Sequence, residues 1–347
     1  MRIAFVGKGG SGKTTLSSLF IRHLAAASAP VLAIDADINQ HLGAALGLDE
    51  RDAAGIPPLS RFTRDLKEYL RGNNPRIGSA AEMVKTTPPG SGSRLLRFGS
   101  ESPLDKWCTY RFDDGNDVDG GGGSADLAGV RLMVTGVFEE SDLGVACYHA
   151  KVGAAELYLN HLVDGPGEYV VMDMTAGADA FASGLFTRFD ATFLVVEPTR
   201  KSLSVYHQYR QYADEYGIAV HAVGNKITEP GDLAFLRGEL GNALIGGLVF
   251  SRAVRAQERG EPMSLEQLEP ENRTLLADLQ RSVDEVPKDW ARYTELAHHF
   301  HVKNAHSWAN SSIGTDVTTQ IDPGFSLAAH ATYAAHATHV AKAVAAV

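Results

Sequence analysis

Short apolar runs alternate with longer amphipathic stretches along much of this chain. The apolar runs are rich in Val, Ile and Leu, as in strands buried on both faces of a sheet; they are residues 2–6, 31–35, 170–173, 191–196 and 219–224, with weaker candidates at 130–135 and 245–250. The stretches between them repeat apolar residues at helical spacing; they are residues 15–27, 146–163, 201–216 and 272–286. This alternation predicts an α/β fold, with helices on both faces of a mostly parallel sheet.

Two regions depart from the pattern. Residues 50–130 are rich in Pro, Gly, Arg and Asp, which predicts a loop-rich insertion with some helix at 59–70 and a flexible glycine-rich loop at 119–124. Residues 301–347 are polar at first and then rich in Ala and His, which predicts a partly helical tail. We therefore expect one main domain over residues 1–300, interrupted by the insertion, and a C-terminal tail.

Composition narrows the class of protein. The 347 residues carry 32 basic and 42 acidic side chains, a formal charge of −10, which argues against a large nucleic-acid-binding face. No apolar run approaches the roughly 20 residues that span a bilayer, and the first strand leaves no room for a signal peptide. A cytoplasmic protein without a membrane anchor is predicted, in which Cys108 and Cys147 are not expected to form a disulfide.

A glycine-rich segment at the first strand–helix junction is the strongest chemical signal. It fits G-x-x-x-x-G-K-[ST], the loop that wraps nucleotide phosphates, and consists of Gly7, Lys8, Gly9, Gly10, Ser11, Gly12, Lys13 and Thr14, followed by Thr15 at the start of the helix. Glycines let the backbone approach an anion, and the helix N-terminus favours phosphate. Lys13 is expected to reach the β- and γ-phosphates and Thr14 to ligate Mg²⁺. The alternative, an ordinary glycine turn, is disfavoured by the flanking strand and helix.

Acidic residues end two of the predicted strands. Asp35 and Asp37 close the second strand, and Asp173 closes a later one. Because ligands bind beyond the carboxyl ends of parallel strands, these carboxylates should lie near the phosphates. Phosphoryl transfer to water needs one group to orient the water and another to hold the metal. Alternatively, Asp37 or Asn39 caps the helix that follows.

Two further positions suit contacts to the nucleotide. Gly177, just after Asp173, permits a backbone N–H to approach the γ-phosphate, in a loop able to change shape on hydrolysis. Asn225 and Lys226 end another strand and suggest contacts to a purine base. ATP is preferred over GTP, because Thr228 stands where a guanine site would need Asp. The alternative for Asn225 is a simple turn residue.

The loop reads Lys-Gly-Gly-x-Gly-Lys-Thr-Thr from Lys8 and resembles the deviant Walker A signature of the MinD/ParA/nitrogenase-iron-protein group of P-loop ATPases. The resemblance covers about residues 1–49 and 130–286. It implies a slow ATPase that pairs as a homodimer when ATP is bound, with Lys8 reaching the partner's nucleotide. It also implies that Asp37 positions the hydrolytic water. Asp35 and Asp173 then support the Mg²⁺ site. In the alternative, Lys8 is a solvated cation of a monomeric enzyme.

Within this group, the run from Val31 to Asp37 resembles the CooC-type ATPases, which assist nickel insertion into an enzyme. Those proteins carry a Cys-x-Cys pair that binds metal between two subunits; here Cys147 and His149 occupy that place. Two copies of Cys-x-His would supply four ligands to Zn²⁺ or Ni²⁺. Alternatively, Cys147 is a small buried hydrophobe and His149 a surface residue. Histidines in the tail invite a metal-storage role, but only two pairs, His298 with His301 and His336 with His339, have helical spacing.

The leading hypothesis is therefore a dimeric ATPase switch that assists maturation or metal loading of a client protein. A ParA-like partitioning ATPase is the alternative; it would need a basic DNA-binding patch, such as Arg252, Arg255 and Arg259. A third reading is a small-molecule kinase or ligase with its substrate pocket in the insertion.

Overall fold

A computed structural model describes residues 1–98, 102–112, 127–137, 148–175, 181 and 184–331. Its strands are β1 (Arg2–Gly7), β2 (Val31–Ala36), β3 (Leu96–Arg97), β4 (Thr109–Arg111), β5 (Val130–Val134), β6 (Leu162–Val163), β7 (Tyr169–Thr175), β8 (Ala191–Val196), β9 (Val220–Ile227) and β10 (Leu244–Val249). Eight of them form one sheet in the order β10-β9-β8-β1-β7-β2-β5-β4, and β3 pairs with β6. Within the eight-stranded sheet every pairing is parallel except the antiparallel one between β4 and β5. The predicted fold class is confirmed.

Helices cover both faces of this sheet. They are α1 (Lys13–Ala26), α2 (Leu42–Ala45), α3 (Glu50–Gly55), α4 (Thr63–Arg71), α5 (Pro103–Cys108), α6 (Tyr148–His161), α7 (Arg200–Glu215), α8 (Pro230–Leu240), α9 (Arg252–Gln257), α10 (Pro270–Asp284), α11 (Trp290–Asn304) and α12 (Asn310–Ile313). Alternate residues of β1 point to opposite faces. Ile3 and Phe5 pack with α1 and α10, whereas Ala4 and Val6 pack with the layer formed by α6, α7, α8 and α11.

The sequence pattern missed two of the longer helices, α8 and α11. α8 contains two glycines, which weaken the helical signal. α11 crosses the expected boundary at residue 300, and its polar histidines obscure an apolar face formed by Tyr293, Leu296, Ala297 and Phe300. The predicted helix at 59–70 is present as a 3₁₀ turn (Leu59–Phe62) followed by α4. The glycine-rich loop at 119–124 lies outside the described residues.

The insertion and the C-terminal segment pack against each other. Gln320 Nε2 donates to the carbonyl of Glu82 over 2.9 Å, and the Thr87 hydroxyl donates to Gln320 Oε1 over 2.9 Å. The Ser91 N–H donates to Asp322 Oδ2 over 2.9 Å. Residues 80–91 and 317–322 thus form one interface.

Cys108 is buried in α5, and Cys147 lies outside the described residues. Throughout the described ranges, every helix is too short or too polar to cross a membrane.

Candidate functional site

The predicted phosphate loop joins β1, a central strand of the sheet, to α1. Gly10 and Gly12 have φ angles of 78° and 90°, a left-handed conformation that glycine adopts without strain. A Cβ atom on Gly12 would lie 1.9 Å from Asn225 Nδ2, whereas one on Gly9 would meet nothing within 4 Å. The backbone can therefore close against β9 only if residue 12 is glycine.

Asn225 and Lys226 lie beside this loop, at the end of β9. Asn225 Nδ2 donates to the carbonyl of Ser11 over 2.7 Å, so this side chain holds the loop. Lys226 Nζ pairs with Glu197 Oε1 at 2.6 Å. The expectation that both residues contact a purine base stays a prediction, since both line the same cavity but their donors are engaged with protein groups.

Four of the predicted residues come together at the carboxyl ends of β1, β2 and β7. Lys13 Nζ lies 2.6 Å from Asp37 Oδ2, and the Thr14 hydroxyl donates to Asp173 Oδ2 over 2.6 Å. Lys13 and Asp37 are only 7% and 4% exposed, so their ion pair is poorly screened by water. Burial alone would raise the pKa of Asp37, but the hydrogen bond and charge of Lys13, the N–H of Asn39 and the charge of His41 together outweigh burial and lower the pKa.

Asp173 and Asp35 are fully buried neighbours of this cluster. Burial raises the pKa of Asp173 to about 6, although Lys13 partly offsets this. Its second oxygen, Oδ1, is buried and has no hydrogen-bond partner in the described structure. A buried carboxylate oxygen without a partner is costly, and it suits coordination of a hard cation such as Mg²⁺.

Asp35 has a different surrounding from the one expected of a metal ligand. Its two oxygens accept the backbone N–H groups of Asp37 over 3.1 Å and of Leu42 over 2.8 Å. Asp35 therefore accepts the first backbone N–H group of α2. The helix-capping alternative names Asp37 or Asn39 as the capping residue, but Asp37 Oδ1 instead accepts the N–H of Asn39 over 3.0 Å within the loop. Support of Mg²⁺ by Asp35 stays a prediction.

A cavity of about 760 Å³ opens over these residues. One end is polar and contains Lys13, Thr14 and Asp37. The other end is apolar and is formed by the last residues of β9 and β10 and by the segment after β10, namely Ile227, Leu248, Val249, Phe250 and Val254. A cavity with a cationic end and an apolar end fits a molecule with phosphates at one end and a flat base at the other.

Sequence reasoning missed Phe250, which is 61% exposed at the apolar end. The weak strand predicted at 245–250 includes Phe250, whereas β10 ends at Val249 and Phe250 follows it. The signal that identified Asp37, Asp173 and Asn225, a position at the carboxyl end of a parallel strand, applies equally to Phe250.

Several predicted residues stand apart from the cluster or outside the description. Lys8 is exposed and forms no ion pair within the described ranges. Gly177 and Cys147 lie outside the described residues, and His149 is the second residue of α6, with a side chain that is not described. No group of three His, Cys, Asp or Glu side chains suited to a metal occurs in the part of the chain that the structure describes.

The tail histidines and the three arginines are separate from the phosphate end. His301 is buried and bonds through both ring nitrogens, to the Thr86 hydroxyl at 3.2 Å and to the Val317 carbonyl at 2.8 Å. It joins the insertion to the C-terminal segment, which argues against metal storage at this position.

The three arginines of the possible DNA-binding patch are all exposed on or just after α9; they are Arg252, Arg255 and Arg259. Of these, Arg255 lines the cavity.

Comparison with known proteins gives consistent matches over most of the chain. The family described as "CobQ/CobB/MinD/ParA nucleotide binding domain" matches residues 3–306. The carbon monoxide dehydrogenase accessory protein CooC of Rhodospirillum rubrum is 26% identical over 262 residues, which cover 75% of this chain and 87% of CooC. An uncharacterized ATP-binding protein of Methanocaldococcus jannaschii is 29% identical over 271 residues, covering 77% and 92% of the two chains.

Solved structures of similar fold include the septum site-determining protein MinD of Pyrococcus horikoshii in complex with Mg-ADP. It aligns with a TM-score of 0.49 and 15% identity over 82% of this chain and 97% of MinD. The MinC:MinD complex of Aquifex aeolicus aligns with a TM-score of 0.49 and 17% identity, over 83% and 99% of the two chains.

Proposed function

This chain belongs to the CobQ/CobB/MinD/ParA nucleotide-binding family, and we propose that it is an ATP-hydrolysing switch that acts as a homodimer and assists maturation or metal loading of a client protein. The observation that carries the proposal is that Lys13, Thr14 and Asp37 line one cavity and that the buried Asp173 accepts a hydrogen bond from Thr14. Each type of group that phosphoryl transfer to water requires is present there.

The phosphate loop and Lys13 bind the β- and γ-phosphates of ATP. The γ-phosphate competes with Asp37 for the ammonium group of Lys13, since both anions need the same donors. Once released, the Asp37 carboxylate accepts a hydrogen bond from a water and aims it at the γ-phosphorus. The new P–O bond forms as the bond to the β-phosphate oxygen breaks, which yields ADP and inorganic phosphate.

Thr14 and Asp173 fit a Mg²⁺ site. The buried Oδ1 atom of Asp173 has no partner within the described ranges, and hydroxyl and carboxylate oxygens are the ligands that Mg²⁺ prefers. When bound, Mg²⁺ neutralises part of the charge on the β- and γ-phosphates.

Lys8 supports the dimeric part of the proposal. It is exposed at the loop that holds the phosphates, so it can extend toward a second subunit. A cation delivered from the partner stabilises charge on the transferred phosphoryl group only when two subunits close. Hydrolysis would then release the pair.

The client role is supported by similarity to CooC, whose name describes an accessory protein of carbon monoxide dehydrogenase. Cys147 and His149 of two subunits are the proposed ligands for Zn²⁺ or Ni²⁺, which would be cargo or a dimer-bridging ion. A test is equilibrium binding of each ion to the wild type and to Cys147→Ser. Equal binding by both proteins would contradict this assignment.

The decisive experiment measures phosphate release and molecular size together. We expect turnover per subunit to rise with protein concentration, and ATP but not ADP to shift the protein from monomer to dimer. Lys13→Ala should abolish turnover, and Lys201→Ala, on the exposed face of α7, is the matched control. A monomeric protein that hydrolyses ATP at a rate independent of its concentration would contradict the switch.

The same preparation separates the alternative functions. Retention on nonspecific DNA that requires ATP and falls steeply with salt would favour a partitioning ATPase. Transfer of labelled γ-phosphate to a metabolite, rather than its release, would favour a kinase or ligase.

A further inference from the structure

α9 contacts both the cavity and α2, the short helix that follows the loop carrying Asp37. It begins just after Phe250, and Val254, Arg255 and Glu258, on or just after this helix, line the cavity. At its other end, Gln257 Nε2 donates a hydrogen bond to the carbonyl of Ala45, the last residue of α2.

α2 in turn belongs to the proposed hydrolytic loop. Its first N–H, that of Leu42, bonds to Asp35 Oδ2 over 2.8 Å, and Asp35 also accepts the N–H of Asp37 over 3.1 Å. A displacement of α2 would therefore also move Asp35 and the backbone of Asp37. Gln257 joins α9 to α2 by a hydrogen bond.

The apolar end of the cavity has the chemistry of a base-stacking site. Phe250 presents an aromatic ring that is 61% exposed. The backbone of the preceding residue is held by the fully buried Asn272, which accepts from the N–H of Val249 over 2.9 Å and donates to the Val249 carbonyl over 3.1 Å. The polar donors first expected to bind the base are engaged elsewhere, Asn225 with Ser11 and Lys226 with Glu197.

We infer that Phe250 and α9 form a base-reading element, and that Gln257 is a positioning residue that couples base binding to the loop at residues 37–42. The inference rests on the proposed ATP site. A base stacked on Phe250 contacts Val254 and Arg255 only when α9 sits in its observed place, so binding stabilises the α9–α2 contact. A ligand can shift a conformation only through such a difference in affinity.

The test compares ATP with inorganic tripolyphosphate, which has the phosphates but no base. Amide hydrogen exchange is followed in residues 38–46 of the full chain with Mg²⁺, at concentrations that protect residues 9–14 fully with either ligand. In the wild type, ATP should slow exchange of residues 38–46 more than tripolyphosphate does. Gln257→Ala should remove this difference, and Gln257→Lys, which keeps a donor, should restore much of it.

Affinity measurements test the stacking platform. Phe250→Ala should weaken ATP binding by about tenfold, a typical loss for removing an aromatic ring from under a base, and leave tripolyphosphate binding unchanged. The matched controls are Gln211→Ala, an exposed glutamine on α7, and Trp308→Ala, an exposed aromatic residue of the C-terminal segment. Neither should alter binding or the exchange difference.

Equal protection of residues 38–46 by the two ligands in the wild type would overturn the coupling, whatever the variants do. An exchange difference that survives in a folded Gln257→Ala protein would overturn the role of Gln257. If Phe250→Ala weakened the binding of ATP and of tripolyphosphate equally, the stacking role of Phe250 would be overturned. Because exchange reports binding, a chain that binds ATP without hydrolysing it would contradict the proposed ATPase and leave this inference standing.

Discussion

Asp35 and Asp173 stand directly opposite each other in the register of β2 and β7, and both are fully buried. Burial, and then the charge of Asp173, raises the pKa of Asp35 to about 8. Burial also raises the pKa of Asp173 to about 6. The pair therefore retains a proton near neutral pH, and a divalent cation at Asp173 would favour loss of that proton.

This pair makes stability depend on pH. An aspartate whose pKa is higher in the folded than in the unfolded protein binds its proton more tightly when folded, so the stability it confers is present at low pH and is lost as pH rises through about 8. Asp35→Asn removes this dependence. The stability of the variant relative to wild type should therefore increase between about pH 5 and pH 8.

Urea unfolding in EDTA at several pH values measures the effect. Asp49→Asn is the control, because Asp49 is an exposed helix N-cap and asparagine caps about as well. Parallel stability curves for Asp35→Asn and wild type would show that Asp35 titrates normally in the folded protein.

Asp37→Asn should separate binding from hydrolysis. Asparagine cannot accept a water proton as a carboxylate does, so hydrolysis should fall by about 100-fold or more. ATP affinity should hold or rise, because the variant no longer competes with phosphate for Lys13. Calorimetry and single-turnover phosphate release measure the two quantities, with Asp278→Asn, at a half-buried position on α10, as control. Hydrolysis at the wild-type rate would remove Asp37 from the mechanism.

Lys8→Ala should impair pairing of subunits without loss of the nucleotide. The side chain is exposed, so its removal should leave folding and ATP affinity of the single subunit nearly unchanged. Sedimentation with ATP and Mg²⁺ should then find the variant monomeric where wild type and Lys201→Ala are dimeric. If the variant pairs as well as the parent, Lys8 is a solvated cation.

Two of the four glycines of the phosphate loop, Gly9 and Gly12, should differ in how well they tolerate replacement by alanine. Gly12→Ala forces a Cβ to 1.9 Å from Asn225 Nδ2 at a φ of 90°, which should lower the free energy of unfolding by about 1–3 kcal/mol. Gly9→Ala meets nothing within 4 Å and should change it by less than about 0.5 kcal/mol. Denaturant titrations compare them, and similar losses would mean that the loop adopts another conformation.

Strands buried on both faces were the most predictable elements. The apolar run at 191–196 coincides with β8, and the run at 31–35 falls one residue short of β2. The same reasoning failed for α8 and α11, because glycines and polar side chains obscure the helical spacing of the apolar residues that these helices bury in the core. Long-range packing decides such elements.

From the sequence alone, local chemistry predicts a phosphate loop over Gly7 to Thr14 and acidic residues near the carboxyl ends of β2 and β7, because glycine conformations and strand ends are properties of short segments. The tertiary structure decided which partners these groups have. Asn225 donates to Ser11, Asp35 accepts the first N–H of α2, and Phe250 lines the cavity. Those contacts join residues far apart along the chain, and only the packing of the sheet and its helices brings them within bonding distance.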